Sequence, residues 1–169
     1  MSLKTVKKGT ILQMSGELPT LFFKVVKGLL RSYTIDEKGK EHIFAFGPEG
    51  WIIGDVNAFM KNNKTELFIQ AIEDTIYETR FIDLDALHGV PSKDQAIEIK
   101  LLMNRVAVLQ RRVIMLISNT ALERYEHFIE TYPGLIHRVP QRMIASYLGI
   151  TPEALSKIRS QKAKKKLIS

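Results

Sequence analysis

Few residues in this 169-residue chain could carry bond-making chemistry. There is no cysteine, which removes disulfides, thiolate nucleophiles and cysteine-ligated clusters together. The four histidines, His42, His88, His127 and His137, are scattered, and no second ligand pattern stands near His42 or His88. Asp83 and Asp85 are close in sequence, but such pairs usually start helices or sit in loops. No Ser/His/Asp order, HExxH or Walker loop is present, so catalysis is not expected. What the chain does offer is positive charge in one place. Residues 1–90 hold 11 Lys+Arg and 12 Asp+Glu, whereas residues 138–169 hold 8 basic residues against the single acid Glu153. The formal net charge of +7 therefore sits at one end, and a phosphate backbone is the partner such a segment fits.

The elements that must carry that charge are legible from Gln141 to Ile158, QRMIASYLGITPEALSKI. Met143, Ile144, Tyr147 and Leu148 recur at helical spacing, and Gly149 follows where a helix end favours positive φ. Thr151 is placed to cap a second helix, with Pro152 at its first position, where a missing N–H costs nothing. Ala154, Leu155 and Ile158 form its inner face. Ala145 is small where two helices must cross, and Ile144, Leu148, Ile150, Leu155 and Ile158 supply the core between them. This is a helix-turn-helix pattern.

The order Gln-x-x-Ile-Ala-x-x-Leu-Gly-Ile-Thr-x-Glu-x-Leu-Ser-Lys-Ile resembles the helix-turn-helix of the CRP/FNR family of bacterial transcription regulators. The resemblance implies that the second helix enters the major groove with Pro152, Glu153 and Lys157 at base edges and Ser156 alongside. Glu153 can accept from a cytosine amino group and Lys157 can donate to guanine. Many relatives carry Arg where Pro152 stands, and proline has no donor, so one guanine contact is expected to be lost. Arg142, Thr151, Arg159 and Lys162 are the expected phosphate contacts. Most relatives also have a β-hairpin wing after this helix, and a helix before the first strand. Residues 160–169, with their lysines, are too short for a hairpin and are expected to take over the wing's backbone contacts.

From residue 3 to about 82 the chain reads as short strands with turns between them. Leu29 to Ile35 alternates, Asp36-Glu37-Lys38-Gly39 makes a hairpin turn, and Glu41 to Phe46 returns. Leu67 to Ile72 and Thr75 to Ile82 follow. Strands at this spacing predict a small antiparallel barrel or double-sheet roll. The run Gly50 to Phe59, with Gly54, Asp55 and Val56 at its centre, resembles the phosphate-binding segment of a cyclic-nucleotide-binding roll. In that family an Arg-Ser pair stands about ten residues further on, where this chain has Thr65 and Glu66. A cyclic phosphate wants a guanidinium fork, and a carboxylate beside it is repulsive. Asp55 replaces a longer Glu that meets the ribose. Gly54, Asp55, Val56, Thr65 and Glu66 are thus the candidate effector pocket, with cyclic AMP not expected to bind. No cofactor or metal is expected, and the effector is left open.

Ser92, after Pro91, is a candidate N-cap, and no Pro or Gly interrupts residues 93–119. Ile99, Leu102, Val106, Leu109, Val113 and Leu116 alternate in steps of three and four, a heptad seam that predicts pairing with a second copy. A second stripe, Ile97, Leu101, Val108 and Met115, could pack on the roll. A helix apolar on two faces must bury both, the alternative to pairing being a buried helix in a monomer. Asn119-Thr120 marks a hinge, followed by a helix from Ala121 to Tyr132 with Tyr125, Phe128 and Ile129 on its apolar face.

The expected fold class is α+β: an antiparallel, cupin-like double-sheet β-roll over 1–90, a dimerisation helix over 91–119 and a helix-turn-helix domain over 120–169 lacking most of the wing. The expected function is a homodimeric regulator that binds double-stranded DNA, with RNA polymerase as a further candidate partner. The competing class is a ligand-binding or protein-interaction module of the same fold with degenerate DNA recognition. No run of about 18 apolar residues exists and the basic N-terminus has no apolar segment behind it, so a cytoplasmic protein without a membrane span is expected.

Overall fold

The computed structural model describes residues 3–18, 21–80 and 92–168. Asp83, Asp85, His88, Pro91 and the end of the expected strand at Ile82 lie outside them. Among the described residues, eight strands form two four-stranded antiparallel sheets. One sheet has the order β1 (Leu3–Val6), β8 (Thr75–Arg80), β3 (Phe22–Lys27), β6 (Ile52–Ile53). The other has the order β2 (Ile11–Gln13), β7 (Phe68–Ala71), β4 (Leu30–Ile35), β5 (Glu41–Gly47). Phe23, Val25, Leu30, Ile53, Ile69, Ala71 and Tyr77 fill the space between the sheets, with Val6 and Leu12 packed against them. The expected double-sheet roll is what forms.

The β4–β5 hairpin shows why its turn was readable. The Asp36 carboxylate accepts from the backbone N–H groups of Lys38 and Lys40, and Gly39 takes φ 77°. His42 pairs with Asp36 at 2.8 Å on this exposed hairpin, which holds the Asp36 carboxyl below its ordinary range, first through the His42 side chain. Among the described residues no group of three or more His, Cys, Asp or Glu could hold a metal ion.

After the roll comes α2 (Lys93–Ser118). Ser92 caps it reciprocally: its hydroxyl accepts from Gln95 N–H at 3.3 Å, and the Gln95 side chain accepts from Ser92 N–H at 2.8 Å. Then follow α3 (Ala121–Thr131), the short α4 (Leu135–Arg138), α5 (Gln141–Leu148) and α6 (Pro152–Ile168). Packing divides the chain into two compact units, Met1–Val106 and Ala107–Ser169, a division that falls inside α2. The division drawn from sequence at 91 and 119 follows element ends instead. No described helix is long and apolar enough to cross a membrane.

Burial along α2 does not follow a single line of the helix. Val106, Val113 and Leu116 of the expected seam are exposed, as are Met103, Ile114 and Ile117, while Ile99 is half-buried. Leu102 and Leu109 are instead half-buried beside the inward-turned Arg105 and Met115. Leu116 lies near the turn after α5, its Cδ2 3.3 Å from where a Cβ on Gly149 would sit. Of the second stripe, Met115 is buried, Leu101 and Val108 are half-buried and Ile97 is half exposed. Apolar residues occur on more than one line of this helix, and burial rather than spacing separates them.

Candidate functional site

Within the helical unit, α5 buries Ile144, Ala145, Tyr147 and Leu148. Gly149 closes it in the left-handed region, φ 66° and ψ 35°, with its N–H directed to the carbonyls of Ala145 and Ser146. The Ile150 N–H also returns to Ala145 O at 3.0 Å, so the turn satisfies the carbonyls that the helix end would orphan. Thr151 then starts α6, its hydroxyl accepting from Ala154 N–H at 3.2 Å, with Pro152 at the first helical position. Leu155 and Ile158 turn inward. The pattern of two helices about a glycine turn is the one that the sequence predicts.

The outward face of α6 collects Pro152, Glu153, Ser156 and Lys157, all exposed. Arg142, Thr151 and Lys162 are exposed too, and Arg159 is half-buried. The Glu153 carboxyl is held below its ordinary range, first by its own backbone N–H and then by the Thr151 side chain, so it presents a charged acceptor at the helix start. Ser156 Oγ donates to Gln141 Oε1 at 3.4 Å, linking the two helices at this face. Lys162 Nζ lies 3.1 Å from Glu126 Oε1 of α3. Neither Gln141 nor Glu126 stands out in the sequence, because their partners lie 15 and 36 residues away. The lysine-rich end does not form a separate tail: α6 continues to Ile168.

The support under this face is aromatic. Phe128 and Tyr132 lie within or at the end of α3 and meet Tyr147 of α5, with ring centroids 5.4 to 5.8 Å apart. Arg112 sets its guanidinium 4.1 Å from the Tyr147 ring centroid and donates to Tyr147 O at 2.9 Å. Thr120 and Glu123 form a capping box at the start of α3. A cleft of about 710 Å³ opens beside α2 and α3, with Gln110, Arg111, Glu126, His127 and Glu130 in its wall. Burial, then the Arg111 charge, pushes the His127 pKa below its ordinary 6.5, against Glu130.

In the roll, two of the candidate effector residues, Asp55 and Thr65, are brought together and spent on each other. Asp55 caps a short helix, α1 (Val56–Met60), its Oδ1 accepting from Ala58 N–H at 3.0 Å. Its Oδ2 accepts from the Thr65 hydroxyl at 2.6 Å. Thr65 Oγ1 in turn accepts from the Leu67 N–H at 3.0 Å and from Gln13 Nε2 at 3.3 Å. Asp55, Thr65 and Gln13 are all buried. Gly54 is needed for close approach: a Cβ there would stand 2.2 Å from Cδ1 of Phe22, whose ring packs edge-on against Phe59. Val56 and Glu66 face outward, so the Glu66 carboxylate is not within this network. Gln13 is the residue that sequence reading missed, since nothing local ties it to Thr65.

Residues 3–90 match the family model for the cyclic nucleotide-binding domain. The regulatory protein HlyX of Actinobacillus pleuropneumoniae is 30% identical over 178 residues, covering 98% of this chain and 73% of that protein. The fumarate and nitrate reduction regulatory protein of Yersinia pestis is 30% identical over 182 residues, covering 98% and 70%. Among solved structures, FixK2 from Bradyrhizobium japonicum superposes with a TM-score of 0.76 at 23% identity, over 97% of this chain and 85% of that one. A CRP/FNR-family transcriptional regulator from Thermus thermophilus gives 0.71 at 16%, over 97% and 87%. The relatives are regulators rather than enzymes, and the roll, the long helix and the glycine-turn helix pair occur here in one chain: it belongs to the CRP/FNR family of transcription regulators.

Proposed function

We propose that two copies of this chain pair through α2 and present their α6 helices to successive major grooves of double-stranded DNA. The observation that carries this reading is the exposed face of α6, where Glu153, Ser156 and Lys157 project from a helix anchored by Leu155 and Ile158. A helix held this way can lay its N-terminal residues against base edges while basic groups meet phosphates. Lys157 serves as the guanine donor and Glu153 as the cytosine acceptor. Arg142, Thr151, Arg159 and Lys162 are the phosphate contacts, and Pro152 removes a donor from the first position. The continuous helix to Ile168 carries the lysine-rich segment along the helix axis, where it adds basic groups for the phosphate backbone. A cytoplasmic location and contact with RNA polymerase belong to the same reading.

The effector half of the proposal is that cyclic AMP does not act here. A cyclic phosphate entering between Asp55 and Thr65 would have to break the 2.6 Å hydrogen bond and leave a buried carboxylate facing an anion. Fluorescence anisotropy of labelled duplex, run with and without cyclic AMP, tests both halves. The expected outcome is DNA binding at low salt that cyclic AMP leaves unchanged. A chain that ignores duplex under these conditions, or that binds it only with the nucleotide, contradicts the reading. The first result would leave a ligand-binding or interaction module with degenerate DNA recognition.

A further inference from the structure

We infer that Arg112 is a positioning residue for DNA recognition, fixing the direction in which the helix-turn-helix leaves the end of α2. The inference rests on the function proposed above and adds to it the side chain that sets the angle at which α6 is presented. Between α2 and α3 the chain passes through Asn119 and Thr120 alone. Beyond them α3, α5 and α6 pack as one body: Phe128, Tyr132 and Tyr147 meet ring to ring, and Leu155 and Ile158 are buried. A two-residue joint is a pivot, and a pivot alone leaves the direction of that body open. A second point of attachment closes it.

Arg112 is that second point, about two helical turns before the joint. Its guanidinium lies 4.1 Å from the Tyr147 ring centroid and donates to Tyr147 O at 2.9 Å. The acceptor is a carbonyl in the last turn of α5, where Ala145 O and Ser146 O already receive the N–H groups of Gly149 and Ile150. A cation placed there also meets the negative end of the α5 dipole. The planar guanidinium has to cover the ring and aim an N–H at the carbonyl at once, which selects one orientation of α5. Leu116 adds a steric stop, its Cδ2 3.3 Å from where a Cβ on Gly149 would sit. The Gly149 turn passes that orientation on to α6 and its exposed Glu153, Ser156 and Lys157. Binding to one half-site depends on α6 alone. Binding to two half-sites at a fixed separation depends on the angle that Arg112 holds.

The test uses the full-length chain and three duplexes. These are the inverted repeat that the parent enriches from a randomised pool, the same repeat with its half-sites moved apart by about two base pairs, and one half-site alone. The insertion turns one half-site by roughly 70° about the duplex axis. Fluorescence anisotropy gives the dissociation constants, and thermal unfolding confirms that each variant is folded. The parent is expected to prefer the enriched spacing about tenfold. Arg112→Met keeps an unbranched stem against the ring and loses the donor, so the preference falls to about twofold while half-site affinity is unchanged. Arg112→Lys, which keeps the charge and a donor without the planar fork, gives an intermediate preference. Equal losses on all three duplexes in Arg112→Met, or a preference as sharp as the parent's, overturn the positioning role. If Arg112→Met does not fold, Arg112→Lys decides by the same criteria. A parent chain without any spacing preference overturns the paired reading of DNA proposed above, and this inference with it.

Discussion

Lys157 and Lys162 are both exposed cations on α6, yet their surroundings assign them different work. Lys157 stands on the face with Glu153 and Ser156, whereas Lys162 is paired with Glu126 at 3.1 Å. That ion pair is half-exposed and contributes little to stability, so a phosphate can replace the carboxylate. Lys157→Ala is expected to cost about 1–3 kcal/mol on the preferred site and to relax specificity, while Lys162→Ala weakens all sequences alike and flattens the salt slope by about one. Equal losses on preferred and random duplex for Lys157→Ala would contradict its assignment. In the roll, Thr65→Val removes the hydroxyl that bonds Asp55 and receives from Gln13, leaving a buried carboxylate oxygen short of a donor. Unfolding in denaturant should show a loss of about 1–3 kcal/mol. A variant as stable as the parent would mean that the network is not structural. The resemblance of Gly50 to Phe59 to a cyclic-nucleotide-binding segment already pointed to Asp55 and Thr65. It could not show that they bond each other, because that depends on a buried Gln13 from a distant strand.

At the scale of elements, the helix-turn-helix was legible because every signal in it is local: a glycine at positive φ, a threonine cap, a proline at the first position. The expected α2 seam is apolar by spacing, but spacing does not give its burial. Of its six residues, Val106, Val113 and Leu116 are exposed while Ile99, Leu102 and Leu109 are half-buried, a difference that only the folded chain shows. The helical continuation to Ile168 was missed for a related reason, since a lysine-rich segment reads equally as a solvated tail. The packing of α3 beside α2 carries its own pH dependence. His127 is depressed below 6.5 in the fold, so between its folded and ordinary values the unfolded chain binds more protons. Its contribution is complete above 6.5 and is lost as pH falls below it. Thermal unfolding followed from about pH 7.5 to about pH 5.5 should therefore show a steeper decline in the parent than in His127→Gln. Superimposable profiles would contradict this.

At the scale of the molecule, the chain joins a roll whose Asp55 and Thr65 bond each other to a helical unit with exposed basic groups on α6. The sequence conveyed that division through charge alone, with residues 1–90 near neutrality and residues 138–169 strongly basic. What it could not convey is where packing separates the two units, because the boundary lies inside the uninterrupted helix α2. If two copies pair along that helix, their α6 helices must read DNA as a two-fold object. Selection of the purified chain against a randomised duplex pool at moderate salt measures this directly. The account predicts an enriched inverted repeat whose half-sites lie about 34 Å apart, one turn of the double helix. Enrichment of a single unrepeated half-site, or of no sequence at all, would contradict it.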